Sequence, residues 1–192
     1  QVRGHRLRTP GGRKTRPTSD RVREALFNIL GARVVESLFL DLFAGSGAVG
    51  LEALSRGARQ AVFVENDRQA LACLHDNLAA TGFKDKGVVI GSDVRRGVAG
   101  LLEEGRVFDL IFLDPPYRQG WGEVILPAAV PLLAPEGVVI LETAVSEAAP
   151  EIAGMEIKDR RVYGDTALIF YGRAGGLADG VHDPDRGNGK ND

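Results

Sequence analysis

The sequence has little of what would tie a chain to a membrane or to an oxidising compartment. It contains one cysteine, Cys73, among the apolar residues of a predicted helix. This excludes a disulfide framework, suits a reducing cytoplasm and favours a core position over a catalytic one. No apolar run approaches the roughly 20 residues of a bilayer-spanning helix, and no signal-peptide pattern opens the chain. We therefore expect a cytoplasmic protein without a membrane partner.

An excess of either charge is also missing. The 192 residues carry 24 Lys and Arg against 26 Asp and Glu, a net charge of −2, which excludes binding of a polyanion by bulk charge alone. The distribution is uneven, because the first 23 residues hold a single acid, Asp20. The basic residues there are Arg3, Arg6, Arg8, Arg13, Lys14, Arg16, Arg21 and Arg23. A solvated basic face is the plain interpretation, and a surface that contacts phosphate groups is the one we favour.

Residues 39–50 predict a strand, a tight turn and a helix. The apolar run 38–43 stops at small residues, and a helical pattern of apolar side chains begins at Val49. Gly45 and Gly47 can take positive φ and carry no Cβ. Backbone N–H groups and the N-terminus of the following helix can therefore approach a ligand closely.

Two ligand classes fit this turn. Gly45, Gly47 and Gly50 satisfy the dinucleotide fingerprint G-x-G-x-x-G, which is a weak signal alone. Asp41 lies at the end of the apolar strand. Packing gives no reason for a carboxylate at this position, whereas a ligand with a positive charge would explain it. The arrangement resembles motif I of class I S-adenosylmethionine-dependent methyltransferases, whose ligand carries a cationic sulfonium and amino group and no pyrophosphate. We favour that class.

Strands and helices alternate along the rest of the chain. The patterns predict helices over 19–30, 49–56, 94–102 and 122–133, and a long helix that Asn66 and Asp67 cap and Gly82 ends. They predict strands over 61–65, 88–90, 108–113, 138–142, 155–162 and 167–171. A short connection at 163–165 predicts a hairpin, so at least one strand is antiparallel. We expect a doubly wound, mostly parallel α/β domain over 19–172, a basic arm over 1–18 and a disordered tail over 173–192.

Acidic residues end four of the predicted parallel strands: Asp41, Glu65, Asp93 and Asp114. Such strand ends meet at one edge of the sheet, where doubly wound folds bind their ligands. Glu65 follows the glycine turn by about 20 residues, where an acid can bind ribose hydroxyls; a surface acid is the alternative. Asp93 is a candidate acceptor for an adenine amine, and an ordinary helix N-cap explains it equally well.

The predicted strand over 108–113 is followed by Asp114-Pro115-Pro116-Tyr117. The prolines lack N–H groups and fix φ, which holds the carbonyls in place as acceptors. The Asp114 carboxylate and the Pro115 carbonyl can bind the two hydrogens of a base amine and direct its nitrogen lone pair at a methyl group. Tyr117 can stack on the base, worth about 1 to 3 kcal/mol. An ordinary proline loop is the alternative.

At these motifs the chain resembles the RsmD family of 16S ribosomal RNA guanine-N2 methyltransferases. The matching segments are residues 15–30, 41–47, 51–58, 114–117 and 161–166. The first is the most specific to the family, while the proline motif occurs in many amino methyltransferases. None of these motifs departs from the family pattern.

The resemblance implies a Rossmann-like class I fold that transfers methyl from S-adenosylmethionine to the exocyclic amine of one guanine in 16S ribosomal RNA. On this resemblance we expect the substrate to be the small subunit or its assembly intermediate, and the enzyme to be a monomer that uses no metal. We assign catalysis, through binding of the base and its amine, to Asp114, Pro115, Pro116 and Tyr117. Binding of the cofactor is assigned to Asp41, Phe43, Ala44, Gly45, Ser46, Gly47, Glu65, Asn66, Asp93 and Thr18. Binding of RNA is assigned to the eight basic residues named above.

Other functions stay open at this point. An amino methyltransferase for a protein amide would be expected to carry Asn at position 114, and one for adenine-N6 in DNA would need a recognition domain that this length does not accommodate. A non-catalytic RNA-binding assembly factor would tolerate loss of the acceptors, yet Asp114 and Tyr117 are both present.

Overall fold

The computed structural model describes residues 7–8, 18–116 and 120–175. The helices are α1 (Thr18–Leu30), α2 (Ala48–Ser55), α3 (Arg68–Thr81), α4 (Val94–Glu103) and α5 (Trp121–Ala129). The strands are β1 (Leu38–Leu42), β2 (Gln60–Glu65), β3 (Gly87–Gly91), β4 (Phe108–Leu113), β5 (Leu133–Ala144), β6 (Met155–Tyr163) and β7 (Thr166–Arg173). The predicted tail begins within the described residues, but most of it, like most of the predicted arm, lies outside them.

The strands form one sheet in the order β3-β2-β1-β4-β5-β7-β6. The first five pair in parallel, β7 runs antiparallel to both β5 and β6, and Gly164 and Asp165 join the hairpin strands. This confirms the doubly wound, mostly parallel sheet and its antiparallel C-terminal hairpin. The carboxyl ends of β1 to β5 consequently lie along one edge of the sheet.

Successive side chains of a strand point to opposite sides of the sheet, and the central strands are buried on both sides. On one side Phe39 and Phe63 pack with α1, α2 and α3. On the other, Leu40 and Val62 pack with α4 and α5. Asp41 therefore shares the face of Phe39 and points towards α2.

One predicted boundary is wrong. The helix expected over 122–133 ends at Ala129, a short 3-10 turn follows, and β5 begins at Leu133 rather than at Val138. Pro131 favours the early end, since it has no N–H to continue the α-helical bonds and its ring clashes with the carbonyl four residues back.

Within residues 7–8, 18–116 and 120–175, no helix combines the length and the apolar character needed to cross a bilayer.

Candidate active site

The turn after β1 is left-handed at three residues. Phe43, Gly45 and Gly47 have φ of 65°, 56° and 81°; this region costs a non-glycine residue of the order of 1 to 3 kcal/mol and suits glycine. Backbone bonds fix the turn, because the Ala44 N–H donates to the Val64 carbonyl at 3.0 Å and the Gly47 N–H to the Ala44 carbonyl at 2.8 Å. Gly47 then caps α2, which brings the first amides of that helix to the sheet edge.

Asp41 lies beneath this turn and is 2% exposed. Its Oδ2 accepts a hydrogen bond from the Gly50 N–H at 2.9 Å. Burial raises the pKa of Asp41 from 3.8 to about 7; the Gly50 bond opposes that rise, and the charges of Asp114 and Glu65 add to it. The carboxyl is therefore sensitive to any charge placed at this edge. Its contact with a ligand stays a prediction.

Glu65 joins the ends of β1 and β2. Its Oε2 accepts from the Gly45 N–H at 2.7 Å, and its Oε1 accepts from the Asn66 and Asp67 N–H groups at 2.8 Å each. The glycine turn is thus bonded to the end of the next strand through one carboxylate. Each carboxylate oxygen has more than one acceptor position, so these bonds leave capacity for a ribose hydroxyl.

Asp93 is the N-cap of α4, with its Oδ1 accepting from the Arg95 N–H at 2.9 Å. The capping interpretation is therefore confirmed. The second interpretation, contact with an adenine amine, stays a prediction, and the position is compatible with it because Asp93 also lines a cavity.

That cavity has a volume of about 140 Å³ and lies over the ends of β1, β2 and β3. Four of the residues predicted to bind cofactor line it: Phe43, Glu65, Asn66 and Asp93. Val64, Ser92, Val94, Pro116 and Trp121 complete the wall. The other predicted cofactor residues lie in the end of β1, in the turn, or, for Thr18, at the start of α1.

Trp121 is a wall residue that the sequence analysis did not identify. Its ring meets the Phe43 ring edge-on with the centroids 5.6 Å apart, and the Arg95 guanidinium lies 5.0 Å from the centroid of the Trp121 ring. Trp121 is the one tryptophan of the chain. No motif surrounds it, so its only signal was its rarity.

A second cavity, of about 250 Å³, lies at the ends of β4 and β5. Its wall includes Pro115, Pro116, Trp121, Leu141, Thr143 and Glu147. The Thr143 hydroxyl and the Glu147 Oε2 are 2.6 Å apart, so the hydroxyl holds that carboxylate at the wall. Pro116 and Trp121 line both cavities.

The proline motif forms the boundary between the cavities. Asp114 follows the last residue of β4 and is exposed, Pro115 is buried and Pro116 is exposed. Tyr117 lies outside the described residues, so its stacking role stays a prediction.

Three of the eight predicted RNA-binding residues fall within the described ranges. Arg21 is exposed. Arg23 pairs with Asp20, and Arg8 pairs with Asp76, each at 2.8 Å. The remaining five, Arg3, Arg6, Arg13, Lys14 and Arg16, lie outside the described ranges, so the basic arm as a surface stays a prediction.

A family model described as conserved hypothetical protein 95 matches residues 1–172. Ribosomal RNA small subunit methyltransferase D of Escherichia coli K12 is 37% identical over 180 residues, which cover 90% of this chain and 87% of that protein. A solved structure of the Escherichia coli protein yhhF superposes with a TM-score of 0.78 at 37% identity, over 89% of this chain and 93% of that one.

A more distant solved structure, of SMU.776 complexed with SAH, has a TM-score of 0.65 at 15% identity, over 80% of this chain and 49% of that one. At that identity the likeness concerns the fold alone.

Proposed function

The chain belongs to the conserved hypothetical protein 95 family, the RsmD family that its motifs resemble, and we propose that it methylates the exocyclic N2 amine of a guanine in 16S ribosomal RNA with S-adenosylmethionine. The name of its Escherichia coli relative supports methylation of small-subunit ribosomal RNA. The choice of guanine and of N2 is a finer step, which the geometry of the second cavity supports.

The meeting of the two cavities at Pro116 and Trp121 carries the proposal. One cavity lies over the glycine turn and the acids of β2 and β3. The other lies beside the acceptors at the end of β4. Methyl transfer needs two ligands held in contact along one line of approach, and this arrangement supplies adjoining sites for them.

The first cavity fits a cationic nucleoside cofactor. Phe43 and Trp121 give it aromatic walls, while Glu65 and Asp93 give it acceptors for hydroxyl and amine groups. Asp41 sits below with a carboxyl whose ionisation a nearby cation would favour. S-adenosylmethionine would supply an electrophilic methyl group on its sulfonium, and the residues of the turn would orient it.

The end of β4 would act on the acceptor amine. The Asp114 carboxylate and the Pro115 carbonyl bind the two amine hydrogens, which keeps the nitrogen lone pair out of the base ring and directed at the methyl group. As the new C–N bond forms, the bond between the methyl carbon and the sulfonium would break with its electron pair going to sulfur, which leaves S-adenosylhomocysteine, and one amine proton would pass to Asp114 or to solvent. Catalysis comes chiefly from orientation and from acceptors placed where positive charge develops on nitrogen.

Glu147 favours guanine over adenine in the second cavity. The Watson–Crick edge of guanine carries an N1–H donor beside the N2 amine, whereas N1 of adenine is an acceptor. A carboxylate held by Thr143 can accept the N1–H, and it would repel the adenine lone pair. The target base must leave its stack to enter such a pocket.

The RNA itself would be bound by the basic side chains of the N-terminal 23 residues. Arg21 is exposed on α1, and each phosphate that such a side chain neutralises releases counterions. We extend the proposal to a monomer that acts on the small subunit or an assembly intermediate, in the cytoplasm.

The deciding experiment uses small ribosomal subunits from cells that lack the endogenous enzyme. Incubation with the protein and S-adenosylmethionine labelled in the methyl group, followed by nuclease digestion and mass spectrometry, should give label in N2-methylguanosine. Label in methyladenosine would retain the fold and mechanism but contradict the guanine assignment. Absence of label from the RNA, with measurable cofactor binding, would favour a protein amide acceptor or a non-catalytic assembly factor.

A further inference from the structure

Asn77 on α3 joins two distant parts of the chain. The residue is 2% exposed, and its side-chain amide takes part in three hydrogen bonds. Oδ1 accepts from the backbone N–H of Arg8 at 2.8 Å, and Nδ2 donates to the Arg8 carbonyl at 3.0 Å. Nδ2 also donates to the Ser46 carbonyl at 3.0 Å. One buried amide therefore links the N-terminal arm to the glycine turn.

The two hydrogen bonds between Asn77 and the Arg8 backbone anchor the arm more firmly than the Arg8 side chain does. They use both polar groups of the Arg8 backbone, as a neighbouring peptide would, and the Asn77 amide that makes them is buried. The ion pair between Arg8 and Asp76 has side chains 75% and 55% exposed, and such exposed pairs contribute little. Leu7 adds packing against the core.

The other end of the link is the glycine turn. Ser46 stands between Gly45 and Gly47, and α3 contacts this turn twice. Besides the Asn77 bond, the Leu74 side chain fills the space beside Gly47, with its Cδ1 2.3 Å from where a Cβ would lie. Residues three apart on a helix share a face, so Leu74 and Asn77 support adjacent parts of the turn.

We propose that Asn77 is a positioning residue through which the N-terminal arm holds the glycine turn in place. Arg8 fixes the orientation of the Asn77 amide, because both of its polar ends are bonded to the same backbone unit. That orientation aims Nδ2 at the Ser46 carbonyl. Loss of the Arg8 N–H would leave the buried Asn77 Oδ1 without this donor, which carries a desolvation cost. The Asn77 amide would then be free to reorient, and the glycine turn would lose the hydrogen bond to the Ser46 carbonyl.

A consequence for binding rests on the proposed function. If the turn holds the cofactor, then an arm that stabilises the turn also strengthens cofactor binding. By thermodynamic linkage the cofactor strengthens seating of the arm equally. Since the arm carries the basic residues proposed to bind RNA, Asn77 would connect the two substrate sites.

The test compares Arg8→Pro with Arg8→Ala in the full-length protein without ligand. Proline has no N–H to donate to Asn77, while alanine removes only the guanidinium and keeps that N–H. Amide hydrogen exchange of Gly45 and Gly47 is measured relative to amides of β4, so that a loss of global stability cancels in the ratio. We expect the ratio to rise about fivefold or more in Arg8→Pro, from the lower end of coupling between sites, and less than twofold in Arg8→Ala.

A variant that lacks residues 1–8 gives the second measurement and should behave like Arg8→Pro. An unchanged ratio in both variants overturns the inference, and a change in the deletion alone assigns the support to Leu7 packing instead of Asn77. Calorimetry with S-adenosylhomocysteine separates this inference from the proposed function. Unaltered protein that fails to bind it contradicts the proposed cofactor site, whereas the exchange ratios still decide the role of Asn77.

Discussion

The two halves of the sheet edge are built differently. At the ends of β1, β2 and β3, the acids bind the protein's own backbone: Asp41 accepts from Gly50, Glu65 from three N–H groups, and Asp93 from Arg95. At the end of β4, Asp114 is exposed and two residues without N–H groups follow it. The acids of the first half are thus held by backbone amides of the fold, while the acid of the second half lies at the surface beside a rigid pair of prolines.

This difference indicates how each half meets its ligand. Under the proposed function, the ends of β1 to β3 form a cofactor half that is organised before binding, so a change there should alter stability, affinity or pH dependence. The end of β4 and the second cavity would form an acceptor half that orients the incoming base, so a change there should alter turnover and substrate choice while leaving cofactor affinity nearly intact.

Removal of the Asp114 carboxylate is the strongest test of the division. Asp114→Ala should lower the rate of methyl transfer by at least about a hundredfold, comparable to loss of one preorganised group at a reacting centre. Affinity for S-adenosylhomocysteine, measured by calorimetry, should stay within a few-fold. The conservative Asp114→Asn keeps an oxygen acceptor and should retain part of the rate. Unchanged turnover in Asp114→Ala would reject the role of this residue.

Asp41 should make cofactor binding depend on pH. Its pKa is raised to about 7 without ligand, so at pH 5 it holds a proton that a bound cation would displace. Affinity for S-adenosylmethionine should therefore rise about tenfold per pH unit up to about pH 7 and then level off. Asp41→Asn, which keeps an acceptor for Gly50, should bind more weakly above pH 7 and without this slope. Calorimetry from pH 5.5 to 8 measures the affinity of both proteins. A wild-type affinity that does not change with pH would contradict the prediction.

The same group affects folding stability with a defined sign. Between pH 3.8 and about 7 the folded protein holds the Asp41 proton more tightly than the unfolded chain does. This contribution therefore makes the unliganded protein less stable as the pH rises through that range, and it levels off above pH 7. The free energies of unfolding of wild type and Asp41→Asn, measured by urea denaturation, should converge towards pH 4. An equal difference between the two proteins at all pH values would contradict this prediction.

Much of this edge was predictable from the sequence, because its signals are local. The strand-turn-helix pattern at 38–56 places the glycine turn, and strand ends in a parallel sheet must share an edge, which brings Asp41, Glu65, Asp93 and Asp114 together. Glycine and proline report backbone conformation directly, so the turn and the end of β4 are the best-defined parts of the site.

What the sequence does not disclose depends on contacts between distant segments. Trp121 and Glu147 reach the site through the packing of α5 and of the loop after β5. In the sequence, Asn77 is indistinguishable from any other polar residue on a helix, and its bond to Ser46 appears only in the fold. The bonds of Asp41 and Glu65 to backbone amides likewise depend on how closely α2 and β2 approach the turn. No periodicity encodes these distances.

Glu147 and Glu123 provide a matched pair in the acceptor half. Both line the second cavity, but Glu123 is exposed while Glu147 is partly buried and held by Thr143. Glu147→Gln should lower kcat/KM for the RNA about tenfold or more, as loss of a hydrogen bond to a charged group implies. Glu123→Gln should change it less than twofold. Steady-state kinetics on the small subunit gives both values, and equal effects would remove the case for Glu147 as the group that reads guanine.

The smallest expected effect concerns how tightly α2 lies on β2 in the cofactor half. A Cβ on Gly50 would lie 2.3 Å from the Phe63 ring, whereas one on Gly100 in α4 would meet nothing within 4 Å. Overpacking costs about 1 to 3 kcal/mol, and alanine recovers about 0.5 to 1 kcal/mol of helix propensity. Gly50→Ala should therefore destabilise the protein by about 1 to 2 kcal/mol in urea denaturation, while Gly100→Ala should stabilise it slightly. Equal stability of the two variants would mean that the Phe63 ring yields without cost, and the rigidity assigned to this half would then rest on the amide bonds of Asp41 and Glu65 alone.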